Sequence, residues 1–231
     1  VSYAIYVQNG YYITKGRPAD LDRAYQSARC ILTISDDASR CVALAFPGVE
    51  HKILRVHYSV DAQRFLPDTA KDNIITYMPR KLADHSSKVL FFLRHHLPAH
   101  WRIVPIDGLN EVQVAALLKR SKIFMAFSHF EGCPLPPLEA ALSGNQVIGY
   151  TGQGAKEYWL PEIFEEVASG DVAGFAQRVL AKVQAIDQAG QFDVPLHTIQ
   201  TLADTYSELQ ERNDMLEFLK AMGLNTNGLP S

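Results

Sequence analysis

Glu131 and Glu139 stand eight residues apart in the segment HFEGCPLPPLEAALSG (129–144), and the residues between them suit an anion. Gly132 opens a tight turn. Pro136 and Pro137 fit the first positions of a helix, whose free N–H groups and positive dipole end favour phosphate. Glu139 would sit in the first helical turn, where a carboxylate can accept hydrogen bonds from ribose hydroxyls. Glu131, before the turn, would face another part of the same ligand. Acidic residues near a helix start also serve plain capping. Arg80 and Lys81, after the apolar run NIITYM (73–78), combine a fork that matches phosphate oxygens with a point charge. The same pair could be a solvated basic turn. Gly152 and Gly154, in YTGQGAKEY (150–158), let a backbone approach a ligand closely, as an ordinary turn also would.

The elements that must position these groups alternate between short and long periods. Strands are predicted at 3–8, 31–35, 52–59, 73–78, 101–106, 123–128 and 146–150. Helices are predicted at 23–30, 36–46 with Asp36 or Asp37 as cap, 84–97, 111–120, 137–143 and 171–186. Asn110 followed by Gln113 is a capping-box signature for the helix at 111–120. One last helix over 196–221 would carry Ile199, Leu202, Tyr206, Leu209, Leu216 and Leu219 on a single apolar face. The polar stretch 60–72, containing Pro67, reads as a linker. This rhythm predicts an α/β fold with a Rossmann-like, doubly wound parallel sheet. Ligands of such sheets sit beyond the carboxyl ends of the strands, where the residues above fall.

Composition excludes several classes. The chain has 231 residues, 47% hydrophobic and 20% charged, which suits a buried core. At ~150 residues per domain it is long for one and short for two. A net charge of −3 gives no basic footprint for nucleic acid. The longest apolar runs, VLFFL (89–93) and IFMAF (123–127), are far short of the ~20 residues of a membrane span, and residues 1–20 lack a signal-peptide pattern. Three cysteines, Cys30, Cys41 and Cys133, cannot all pair, so a reduced, cytoplasmic setting is expected.

The three chemical segments together resemble one family. EGCPLPPLEAALSG is similar to the E-x7-E motif of retaining nucleotide-sugar glycosyltransferases with the two-domain GT-B architecture. YMPRK (77–81) resembles that family's Arg/Lys diphosphate site, and VIGYTGQGAKEY (147–158) resembles a Gly-rich segment of a bacterial branch. More weakly, ILTISDDASRCVALAFPG (31–48) resembles the last strand and helix of the family's N-terminal domain. The resemblance implies transfer of a sugar, with retention, from a nucleotide-diphosphate sugar to a glycan, lipid or polysaccharide-precursor acceptor. Arg80 and Lys81 would neutralise the diphosphate as the glycosidic bond breaks. Lys88, nearer the usual family spacing, is the alternative partner of Arg80. Glu131 would contact the sugar hydroxyls, and the backbone of Gly132, Cys133 and Leu135 would cradle the phosphates. Glu139 would hold the ribose, Ile106 would lie near the base, and Gly152 and Gly154 would line the donor site. No cofactor and no metal are implied.

The chain departs from the pattern at Pro134, which replaces a glycine and has no N–H to give a phosphate, and at Pro79. The resemblance also implies three parts. Residues 1–60 would be a remnant of the N-terminal, acceptor-side domain, 61–205 the donor-binding domain, and 206–231 a helix packing back on the N-terminal part. On that reading the chain is a fragment, and any peripheral membrane association would belong to the missing part. A non-catalytic nucleotide-sugar-binding module is the alternative reading. A response-regulator-like domain, suggested by Asp36-Asp37, lacks the further Asp and Lys it would need. His95, His96 and His100 read as a surface cluster rather than a metal site, and Cys133 as a small buried side chain rather than a nucleophile. Gln8-Asn9-Gly10 follows a strand and either lines the cleft or forms a plain turn.

Overall fold

The computed structural model describes residues 2–224. Residues 225–231, the end of the expected 206–231 segment, lie outside the described residues. Two parallel sheets follow one another along the chain. The first holds β1 (Ala4–Val7), β2 (Cys30–Thr33) and β3 (Ile53–Arg55) in the order β1-β2-β3. Its helices are α1 (Pro18–Ser27) and α2 (Asp36–Ala45). The second sheet holds β4 (Asp72–Tyr77), β5 (Arg102–Pro105), β6 (Ser121–Glu131), β7 (Gln146–Gln153) and β8 (Phe164–Glu166), in the order β5-β4-β6-β7-β8. Around it lie α3 (Ala83–Leu93), α4 (Glu111–Arg120), α5 (Leu135–Leu142), α6 (Val172–Ala189) and α7 (Leu196–Thr205), with α8 (Glu208–Ala221) last.

β6 shows why the larger sheet is doubly covered. Its apolar run is continuous because both faces are buried. Ile123, Met125 and Phe127 pack with Val89, Leu93, Phe175 and Val179 of α3 and α6. Phe124 and Ala126 pack with Leu118, Leu138, Leu142 and Ile199 of α4, α5 and α7. The smaller sheet has a core of its own, built from Val7, Tyr25, Ile31, Val42, Phe46 and Val49. Among the described residues no helix is long and apolar enough to cross a membrane.

Several predicted elements shift. The cap of α2 is Ser35, whose hydroxyl accepts from the Ala38 N–H, not Asp36 or Asp37. The expected strand at 52–59 pairs only over Ile53–Arg55, and β8 went unpredicted because three residues give no period to read. α5 starts at Leu135, two residues earlier than expected, so Glu139 falls in the second turn rather than the first. The predicted helix over 196–221 is two helices. Tyr206 ends the first, and Ser207 caps the second, its hydroxyl accepting from the Gln210 N–H at 3.2 Å. The predicted single apolar face is therefore broken: Ile199, Leu202 and Tyr206 are buried, while Leu209 is 67% exposed. α8 instead docks on the smaller sheet through polar groups. Asp214 accepts from the His57 backbone N–H at 2.8 Å and lies 2.8 Å from its ring Nδ1, Ser59 bonds Glu211, and Arg29 donates to the Ala221 carbonyl at 2.8 Å.

Candidate functional site

A cleft of about 480 Å³ opens where the carboxyl ends of strands from both sheets converge. The smaller sheet contributes Gln8, Asn9 and Tyr12 after β1, Ile34 after β2 and Tyr58 after β3. The larger sheet contributes Arg80, Lys81 and Leu82 after β4, and Phe127 to Cys133 around the end of β6, Ser128 excepted. Gln8 and Asn9 thus line the cleft.

The charged groups lie on the larger-sheet side. Lys81 Nζ sits 2.9 Å from Glu131 Oε2. Arg80 is 82% exposed, with Asp107 4.0 Å from its Nε. Two cations and a carboxylate at the ends of two neighbouring strands, β4 and β6, can meet an anionic group joined to a hydroxyl-bearing one. Lys88 is not among the residues lining the cleft and pairs with Asp84 on α3.

The backbone between Glu131 and α5 is held by close contacts. A Cβ on Gly132 would overlap the carbonyl oxygen of Gln8, so this position lets the two halves touch backbone to backbone. A Cβ on Gly154 would overlap the Gly132 carbonyl, and the Gly154 N–H donates to the Glu131 carbonyl at 3.2 Å. Gly152 lies against the Ser128 and Glu131 side chains. Neither Gly152 nor Gly154 lines the cleft; both support the loop that does. At the start of α5, Pro134 is the cap residue and Pro136 and Pro137 occupy the first turn. Of the end positions only Leu135 keeps an N–H free of an intrahelical partner. Tyr158 donates its hydroxyl to the Pro134 carbonyl and fixes this corner.

The remaining expected residues are placed as follows. Cys133 is buried, and burial pushes its thiol up to about 12, so it carries no thiolate at neutral pH. Ile106 is buried in the core beside Val114 and Leu118, its N–H donating to the Tyr77 carbonyl at 2.8 Å, and it stays outside the cleft wall. Glu139 is mostly buried on α5. Burial first, and the nearby Glu111 charge second, raise its carboxyl to about 7. His95 and His96 are exposed, and His100 pairs with Asp187 at 3.0 Å. Among the described residues no three His, Cys, Asp or Glu side chains gather as a metal site would need.

Two features were missed from the sequence. The first is backbone strain. Leu82 and Phe130 (φ 44°) and Gln153 (φ 75°) are the non-glycine residues with positive φ among the described residues. Phe130 and Gln153 stand at the carboxyl ends of β6 and β7, and Leu82 is the cap residue of α3 after β4; such conformations cost about 1–3 kcal/mol apiece. At Phe130 the pairing of β6 with β7 slips between Ser128 and Glu131, a bulge that turns the ring out of the sheet. The second is Glu157, which the Gly-rich segment hid. It pairs with Arg55 and accepts from the Asp36 N–H at 2.7 Å and the Tyr206 hydroxyl at 2.9 Å. It therefore ties the larger half to the end of β3 and the start of α2.

No protein-family model matches the chain. An alpha-1,6-glucosyltransferase of Actinobacillus pleuropneumoniae serotype 7 (strain AP76) is 34% identical over 89 residues, which are 36% of this chain and 26% of that protein. The match thus spans about a quarter of that relative's length. Among solved structures, Anabaena Alr3699/HepE in complex with UDP and glucose superposes with a TM-score of 0.72 at 10% identity, covering 95% of this chain and 71% of that one. An S. aureus TarM mutant in complex with Fondaparinux, alpha-GlcNAc-glycerol and UDP gives 0.70 at 12% identity, covering 88% of this chain and 46% of that one. The fold is that of the GT-B glycosyltransferases.

Proposed function

We propose that the chain is the nucleotide-sugar-binding part of a retaining glycosyltransferase. The observation that carries the reading is the grouping of Arg80, Lys81 and Glu131 on one wall of a cleft formed by strand ends of two parallel sheets. Arg80 and Lys81 would hold the diphosphate, whose negative charge grows as the glycosidic bond breaks. Before ligand arrives Lys81 is occupied by Glu131, and a diphosphate would compete for it. Glu131, freed from that pair, would accept from the hydroxyls of the transferred sugar. The N–H of Leu135 and the backbone of Gly132 and Cys133 would meet the phosphates at the start of α5. Glu139 would accept from the ribose hydroxyls. The two cations take the work a metal would otherwise do, so donor binding needs no added divalent ion.

Residues 61–205 would carry the donor, and residues 1–60 the acceptor-facing wall, with 206–231 joining them. The acceptor is a glycan, lipid or polysaccharide precursor, in the cytoplasm. UDP is the first nucleotide to test, because the complexes of HepE and TarM contain it. Calorimetry with UDP, GDP and dTDP should show binding of at least one. Heat indistinguishable from buffer for all three at millimolar concentration would sink the reading. Pro134, Pro136 and Pro137 favour one second reading, a binding module that holds the nucleotide sugar without transferring it. That reading requires binding without donor hydrolysis.

A further inference from the structure

Phe130 is 48% exposed and lines the cleft, although its backbone is held in a conformation that phenylalanine avoids. Three contacts keep it there. Asn9 donates from Nδ2 to the Phe130 carbonyl at 2.6 Å, with its own Oδ1 accepting from the Tyr11 N–H at 2.9 Å. The Tyr11 ring lies with its centroid 4.8 Å from that of Phe130, and the His129 ring lies at 4.3 Å. Asn9 and Tyr11 belong to the smaller half while His129 and Phe130 itself belong to β6 of the larger, so the ring's position depends on both halves. Tyr12, 61% exposed, and the exposed Gln8 line the same cleft. An aromatic turned out of a sheet, strained and braced, is what a ligand platform requires and what core packing does not.

From this juxtaposition we infer that Phe130 is the stacking platform for a sugar unit of the acceptor, with Gln8 and His129 positioned to bond its hydroxyls. A pyranose offers a face of C–H groups with partial positive charge, which suits the negative face of an aromatic ring. Its rim of hydroxyls suits an amide and an imidazole. A lipid chain would make no use of those polar groups. The inference rests on the transferase reading only for the word acceptor; the sugar platform itself stands on the cleft geometry. Asn9 is then a positioning residue, acting through the Phe130 backbone.

Saturation-transfer NMR with methyl glycosides of glucose, galactose, mannose and N-acetylglucosamine tests this, alongside UDP calorimetry on the same samples. At least one glycoside should bind the full chain. Phe130→Tyr should keep that binding, while Phe130→Asn, which tolerates positive φ and removes the ring, should weaken it at least ten-fold. Asn9→Ala should weaken it too. UDP affinity should be unchanged in all variants. Glycoside binding that is absent in the natural chain, or equal in Phe130→Asn, overturns the platform while UDP binding leaves the donor reading standing. Glycoside binding lost with the ring, without any nucleotide binding, overturns the donor reading and leaves the platform.

Discussion

The two walls of the cleft are built from the same kind of strand end but carry different chemistry. The larger-sheet wall carries all the formal charge, on Arg80, Lys81 and Glu131, and beside it the rings of Phe127 and Phe130. The smaller-sheet wall presents Gln8, Asn9, Tyr12 and Tyr58, with no formal charge among them. Charge on one wall and its absence on the other separate where an anion can be held from where a neutral group can rest, and Phe130, braced by Asn9, stands between the two. The halves are joined both outside the cleft lining, by Glu157, and within it, by Asn9.

The strongest way to break the comparison is to part the halves. Arg55 and Glu157 are 18% and 12% exposed, so Glu157→Ala would take the near carboxylate from a mostly buried guanidinium and leave it only Asp36, 3.9 Å from its Nε, and the Val56 carbonyl. A loss of about 3–5 kcal/mol is expected, seen as a fall of roughly 10 °C in melting temperature. An unchanged melt would mean that the walls do not depend on this link. Next, Arg80→Ala and Lys81→Ala should each weaken UDP by about 1.5–3 kcal/mol in calorimetry, as loss of a charged hydrogen bond does. Tyr12→Ala should leave UDP affinity alone. Equal losses on both walls would erase the division of labour.

Glu139 sharpens the charged side by pH. Its carboxyl, raised from 4.5 to about 7, favours the protonated form in the folded chain. The ligand-free chain should therefore lose stability, on the order of 2 kcal/mol, as pH rises from about 4.5 to 7. Ribose hydroxyls donate, so they prefer the carboxylate, and UDP should bind more tightly at pH 8 than at pH 6. Glu139→Gln should flatten both curves; a retained slope would remove Glu139 from the ribose site. The smallest effect concerns the joint to α8. Ser207→Ala removes a helix cap and should cost about 1 kcal/mol in urea unfolding without moving UDP affinity.

Much of the larger half was legible. The Asn110–Gln113 capping box starts α4 as expected, with both reciprocal bonds formed. The apolar run at 123–127 forms the central strand, because burial on both faces writes an unbroken pattern. The smaller half was harder to read, since β3 spans only three residues and its chain continues beyond it as an irregular segment. The split at Tyr206-Ser207 escaped because the heptad-like spacing runs through it. A serine inside an apolar period looks like a surface residue until its hydroxyl is seen capping α8.

What the sequence determined by itself is the chemistry of the charged wall. Residue types and strand-end positions suffice there, because a strand that stops delivers the next few side chains to one edge. Ile106 shows the limit of that rule: it follows β5, yet its side chain turns into the core. Tertiary structure alone decided the rest. Phe130 faces the cleft only because a bulge in β6 and an amide from the other half hold it in a backbone form that its own preferences oppose. Glu157 became a tie between the halves only when Arg55, 102 residues earlier in the chain, met it. Local pattern fixes which groups arrive at an edge, while their pairing across the cleft depends on contacts that no local pattern encodes.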